Sequence, residues 1–217
     1  MTAPRIHALG DSAYLCEFPA PATLDCQRRV WTVAEAAGAW LGVIDVIPGM
    51  NNLTVVFDPR RIDPAALRQD LNDVWSAPPG EARNGPVHEI PVVYGGAAGP
   101  DLEDVARQAG LSPEEVVKRH CAAEYVVYCL GFQPGFAYLG GLDPKLAAPR
   151  RADPRIKVPA GSVAIGGEQT TIYPAVSPGG WNLIGHADIR LFDPDADPPT
   201  LLSPGDRVRF IDASART

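Results

Sequence analysis

The sequence predicts an α+β protein in two parts, a small open sheet covered by two helices followed by a barrel or sandwich of short strands. Three observations carry that expectation. Over roughly the first eighty residues the apolar pattern switches between strand and helix periods in the order ββαββα. From Tyr125 onward the text breaks into short β-branched or aromatic runs punctuated by turn residues, in a chain with 21 Gly and 23 Pro. Between these regions, Ala77-Pro78-Pro79-Gly80 through Gly85-Pro86 reads as the junction, giving domains of residues 1–85 and 86–217.

The elements of the first part follow in order. Arg5 to Phe18 reads as two short strands around the Gly10-Asp11 turn. Thr23 to Ala37 is helical, with Leu24, Val30, Val33, Ala34 and Ala37 mostly on one face and Gly38 as its stop. Gly42–Ile47 and Leu53–Phe57 form a hairpin over Pro48-Gly49-Met50-Asn51-Asn52. Asp63 caps a second helix with Pro64 at its first position, and Leu67, Leu71, Val74 and Trp75 form its apolar stripe. The order ββαββα suits a ferredoxin-like sheet covered on one face.

The second part opens with the strand His88–Tyr94 and two helices, Asp101–Ala109 and Ser112–His120, the latter with a Ser112–Glu115 capping box and Pro113 at its first position. This pair has the look of a DNA-binding helical hairpin. Glu114 and Glu115 stand where phosphate contacts would be made, so a hairpin packed on the barrel is expected instead. Strands are expected at Tyr125–Leu130, Ser162–Gly166, Thr170–Tyr173, Trp181–Gly185, Ile189–Phe192 and Arg207–Ile211.

Bulk properties narrow the function. The net charge of −7, with both signs interspersed, argues against nucleic acid or an anionic membrane as partner. No apolar run is long enough to span a bilayer, and no secretory signal opens the chain, so the cytoplasm is expected. Cys16, Cys26, Cys121 and Cys129 lack metal-ligand spacing; no metal site and no disulfide framework is expected of them.

Four segments hold residues that packing alone does not demand. Gly131 to Gly141 places Phe132, Phe136 and Tyr138 on a stiff loop, either as one wall of a cleft or as a corner pinned to the core. Pro149-Arg150-Arg151-Ala152-Asp153-Pro154-Arg155 crowds three guanidiniums that call for an anion or an acidic partner. Val158 to Thr170 ends on Gln169 and Thr170, uncharged groups suited to an amide. Its Gly166-Gly167 lacks the spacing of a phosphate loop. In Ser177 to His186, adjacent glycines admit close approach and Trp181 offers a stacking face. His120 and His186 are candidate acids or bases, with a structural role the alternative for each. These residues alone describe a cleft for a small amide or carboxylate, or a docking groove for a protein.

Several motifs taken together go further. His120…Tyr125, Gly131-Phe132-x-Pro134-Gly135-Phe136-x-Tyr138-Leu139, Pro149-Arg150, Pro154-Arg155, Val158-Pro159-Ala160-Gly161-Ser162-Val163 and Ser177-Pro178-Gly179-Gly180-Trp181 run in one order. In them the chain resembles the family of 5-oxoprolinase B-type subunits, also called the KipI or allophanate hydrolase subunit 1 family. The resemblance implies an N-terminal ferredoxin-like lobe followed by a cyclophilin-like β-barrel. It implies a component, inactive alone, of an ATP-dependent complex that opens 5-oxo-L-proline to L-glutamate with a cyclophilin-like C-type subunit and a separate A-type subunit. No tightly bound cofactor is implied; ATP is a co-substrate that activates the lactam oxygen before water attacks.

On this resemblance His120 and Arg155 are the catalytic candidates, and Phe132, Phe136, Arg150, Gln169 and Trp181 the substrate-binding ones. Where the family usually reads Gly-Arg/Lys-Thr, this chain reads Gly185-His186-Ala187. Alternatives from the same family are a regulatory protein that inhibits a sensor histidine kinase and a component of allophanate or urea metabolism. Prolyl isomerisation, which other cyclophilin-like barrels perform, ranks below them because fold does not carry function.

Overall fold

Alternating burial along Ala13–Glu17 and Asn52–Phe57 makes these the central strands of the N-terminal sheet. The computed structural model describes residues 4–18, 20–77 and 85–213, so most of the Ala77–Pro86 junction lies outside the described residues. The chain divides into two compact units, residues 1–83 and 84–217. In the first, β1 (Arg5–Ala8), β2 (Ala13–Glu17), β3 (Val43–Pro48) and β4 (Asn52–Phe57) form an antiparallel sheet in the order β1-β2-β4-β3. That is the ferredoxin-like order with the last strand moved to the front of the chain.

Helices α1 (Leu24–Gly38) and α2 (Pro64–Ser76) cover one face. Thr23 Oγ1 accepts from Cys26 N at 3.2 Å, and Asp63 Oδ1 accepts from Ala65 N at 3.1 Å, so both helices start on side-chain caps. Helix α1 ends at Gly38, with Ala39 rather than the glycine in the cap position. Val30, Leu53, Val55, Phe57, Leu67 and Leu71 form the core of this unit.

The second unit is a closed barrel. Its strands are β5 (Val87–Tyr94), β6 (Tyr125–Leu130), β7 (Ala137–Gly140), β9 (Ser162–Gly166), β10 (Gln169–Ile172), β12 (Asn182–His186) and β13 (Arg207–Asp212). They run in the order β10-β7-β6-β13-β5-β12-β9, and β9 pairs back to β10. All neighbours are antiparallel except β5 and β13, which run parallel. A separate two-stranded sheet joins β8 (Arg155–Val158) to β11 (Ser177–Gly179).

Helices α3 (Leu102–Ala109) and α4 (Pro113–Ala122) contribute Leu102, Val105, Ala106 and Val116 to the barrel core. Ser112 Oγ accepts from Glu115 N at 3.3 Å, but the Glu115 carboxylate pairs with Arg119 at 2.9 Å instead of closing the capping box. The helical pair is thus a packed hairpin, and Glu114 is exposed. Among the described residues no helix is long and apolar enough to cross a membrane.

One expected strand is absent. Ile189–Phe192 is irregular, held by an isolated bridge between Phe192 and Thr200 and by Leu201 N donating to Leu191 O. The acidic, proline-rich stretch that follows turns the chain back on itself before a ladder can form. Conversely, β7 lies inside the segment expected to be a stiff loop, and β8 and β11 add to the expected strands.

Candidate functional site

On strand β9, Val163 and Ile165 belong to the barrel core, while Ala164 between them joins a second cluster with Phe136, Val158, Tyr173, Trp181 and Leu183. This alternation gives the barrel wall an aromatic outer face. Phe136 is its hub. It packs edge-on against Phe132, Tyr138, Tyr173 and Trp181 at centroid distances of 5.3, 5.0, 5.3 and 5.8 Å. Such tilted pairs set ring edges against ring faces and fix the walls of a depression.

That depression is a cleft of about 240 Å³ lined by Phe132, Phe136, Tyr138, Arg150, Pro154, Tyr173, Pro178, Gly179, Gly180 and Trp181. Phe132 sits at its edge with φ of 67° and 63% of its surface exposed. The Tyr173 hydroxyl lies beside Gly179, and burial raises its pKa. The Trp181 ring lies so close to Gly166 that a Cβ there would overlap Cδ2 of the indole. Gly166→Ala is therefore expected to push the indole out of place and lower stability by about 1–3 kcal/mol, read as a drop in Tm together with a shift of the Trp181 indole resonance.

The three arginines are not equivalent. Asp101, buried where α3 begins, takes Arg155 as a two-pronged fork at 2.7 and 2.8 Å and Arg151 at 3.0 Å. Arg150 turns the other way: its guanidinium carbon lies 5.5 Å from the Trp181 ring centroid, and among the described residues it has no carboxylate partner. An exposed cation–π contact of this kind is worth about 0.5–1 kcal/mol and leaves the guanidinium's donors available. The cleft thus offers flat apolar walls and one free planar cation, a fit for a small ring bearing one carboxylate.

The structure brings together Phe132, Phe136, Arg150 and Trp181, but not every residue singled out in the sequence. Arg155 is bound to Asp101. Gln169 pairs with Gly166 at the β9–β10 turn and does not line the cleft. His186 ends β12, half-buried, with its ring over Gly161.

His120 lies fully inside the barrel, its ring stacked 4.5 Å from Phe210. Thr170 Oγ1 donates to Ala164 O at 3.0 Å, so it accepts from His120 Nε2–H at 2.9 Å. Nδ1 is then the acceptor for the Tyr94 hydroxyl at 2.8 Å. Burial pushes the pKa of this imidazole down to about 3, and with both nitrogens engaged it stays neutral. The Tyr94 hydroxyl in turn accepts from the Cys121 thiol at 3.5 Å, beside a second cavity of about 420 Å³ between α3, α4 and the barrel. That cavity has mixed charges, Glu114, Lys118 and Asp212, and no aromatic cage.

Sequence reasoning missed Asp101. Its one local signal is a place just ahead of a helix, and it makes no side-chain cap there. Its partners Arg151 and Arg155 lie 50 and 54 residues away.

Comparison with known proteins adds to this geometry. The family described as carboxyltransferase domain, subdomain C and D, matches residues 4–202. A protein of Escherichia coli O157:H7 that bears the name of the 5-oxoprolinase B subunit is 49% identical over 97% of both chains. One of the same name from Bacillus subtilis is 42% identical over 98% of this chain and 94% of its own. The crystal structure of TTHA0988 superposes with a TM-score of 0.78 at 42% identity over 93% of this chain, which spans only 40% of that longer one. The urea amidolyase of K. lactis shares the fold, with a TM-score of 0.81 over 98% of this chain and 15% of its own, at 21% identity.

Proposed function

The chain belongs to the carboxyltransferase domain, subdomain C and D, family together with the 5-oxoprolinase B-type subunits, and from that premise we propose that it is the B-type subunit of an ATP-dependent 5-oxoprolinase. In this reading the complex opens 5-oxo-L-proline to L-glutamate, with a cyclophilin-like C-type subunit and a separate A-type subunit as partners and ATP as co-substrate. The observation that carries it is the Arg150 guanidinium over Trp181 in an aromatic cleft, without a carboxylate partner among the described residues.

5-Oxo-L-proline is a flat five-membered lactam with one carboxylate. Arg150 holds the carboxylate as a fork, while the ring rests against the aromatic wall around Phe136 and Trp181, which shields it from bulk water. The lactam is a poor electrophile, so its carbonyl oxygen must be activated before water attacks, and phosphoryl transfer from ATP supplies that activation. Excluding water protects such an intermediate until attack. No proton transfer is assigned to His120, whose ring nitrogens are both engaged inside the barrel.

Partner binding has its own support. Phe132, Ile156 and Val176 are 63%, 90% and 55% exposed on the segments that border the cleft, and apolar side chains left open beside a site suit a protein interface. The same surface supports a second reading, a regulator that docks on a sensor histidine kinase. Inhibition of kinase autophosphorylation by this chain, relieved by Phe132→Asp, is the result that reading requires.

The test of the main reading is ATP hydrolysis dependent on 5-oxoproline, measured with the chain alone and then mixed with the A-type and C-type subunits from the same cell. Glutamate release is expected only in the complete mixture. A stable complex that turns over nothing overturns the proposal.

A further inference from the structure

The cation–π pair at the cleft has two halves on separate parts of the chain. Arg150 belongs to the segment between the barrel and β8, and Trp181 immediately precedes β12. One carboxylate touches both. Asp101 Oδ2 accepts from Leu183 N at 2.7 Å, two residues beyond Trp181, and from Arg155 Nη1 at 2.8 Å. Its Oδ1 accepts from Arg155 Nη2 at 2.7 Å and Arg151 Nη1 at 3.0 Å. Asp101 is only 2% exposed, so its charge is tolerable only with such partners.

We propose that Asp101 is the positioning residue of the cleft: it ties the arginine segment to the Trp181 strand and withholds two guanidiniums, leaving Arg150 alone to take the ligand's anion. The geometry accounts for each part. Arg151 and Arg155 are drawn to Asp101, and Arg151 N also donates to Gly180 O at 2.7 Å, next to Trp181. Arg150, directly before Arg151, is thereby left over the indole. One carboxylate against two guanidiniums prevents the three cations from gathering on one anion. The cleft then selects a ligand with a single carboxylate over a multiply charged one.

This inference rests on the reading of the cleft as the 5-oxoproline site, and its test separates the two. In the assembled complex Asp101→Asn, nearly isosteric but uncharged, is expected to raise KM for 5-oxo-L-proline about tenfold with kcat changed by less than about twofold. A purely structural role would lower the active fraction instead, so that kcat and Tm fall while KM stays put; that result overturns the proposal. The second readout needs no turnover. In the ligand-free chain, Asp101→Asn is expected to move the Trp181 indole N–H resonance, because the ring loses its fixed cation. Inorganic phosphate, added as a polyanion probe, is expected to perturb that resonance more strongly in the variant than in the wild type.

Arg155→Lys keeps the charge pair but loses the fork, so it should give the same changes at smaller size, and it serves if Asp101→Asn does not fold. If the unsubstituted complex turns over no 5-oxoproline, the functional reading falls and the indole resonance alone decides. An unmoved indole overturns the role of Asp101.

Discussion

An assembled complex carrying Arg150→Ala is expected to lose about 30- to 160-fold in kcat/KM for 5-oxo-L-proline. The estimate follows from charge-assisted hydrogen bonding: truncating one partner of a guanidinium–carboxylate fork costs about 2–3 kcal/mol, and each 1.36 kcal/mol is about tenfold. The ligand carboxylate does not change charge during ring opening, so its contact is similar in ground and transition states. The loss should therefore appear mostly in KM. Folding should be spared, because Arg150 is exposed and has no ion pair among the described residues. Arg150→Lys should recover only part of the loss, since an ammonium keeps the charge without the planar fork or the stacking on Trp181. An unchanged KM in the alanine variant, with the complex intact, would remove Arg150 from the site.

The second large effect is on stability. His120→Ala is expected to destabilise the barrel by about 3–5 kcal/mol, because it opens a cavity against Phe210 and leaves the Tyr94 and Thr170 hydroxyls without their imidazole contact. The same residue sets a pH dependence. Burial holds its folded-state pKa down at about 3, against an ordinary value of 6.5. Below about pH 6.5 the unfolded chain takes up a proton that the folded chain refuses. His120's contribution is thus fully present above that pH and falls away as the pH drops toward 3, by up to about 1.4 kcal/mol per pH unit. Urea unfolding at about pH 7 and about pH 5 should show the wild type losing stability and His120→Leu losing less. Equal losses would mean that the ring is not held neutral.

Much of the fold was legible because local chemistry and tertiary packing agree in it. Asp63-Pro64 and Ser112-Pro113 announce helix starts that the structure keeps, and the β-branched runs at Tyr125–Leu130 and Ser162–Gly166 form strands at those bounds. The failures lie where the two disagree. Ser177–Gly179 is a strand in spite of a proline and a glycine, because it needs only one partner, β8. Arg155–Val158, which carries Arg155 and Lys157, is a strand not expected from the sequence, and its Arg155 is engaged by Asp101, a residue remote in sequence. Ile189–Phe192 has strand composition but forms no ladder among the described residues, only the Phe192–Thr200 bridge and the Leu201 N to Leu191 O hydrogen bond.

The site shows the same division. Aromatic and glycine clustering pointed to Phe132, Phe136 and Trp181, and arginine crowding to Arg150. Which arginine stays free depends on Asp101, and no local pattern reveals a carboxylate brought in from another part of the fold. His120 illustrates the opposite case, a polar residue in a motif-rich segment whose partners are all core groups.

The parallel pairing of β5 with β13 has a consequence for how the protein is made. Val87–Tyr94 leaves the ribosome among the first residues of its unit, and the strand that lies beside it, Arg207–Asp212, only after every other barrel strand. Until then β5 and β6 each present an unpaired edge, and the staves already made cannot form a ring. Closure by so distant a segment is slow compared with hairpin formation. The nascent chain therefore passes through a stage in which Ile90, Val92, Val127 and Cys129 are within reach of other chains, and the last strand ends that exposure.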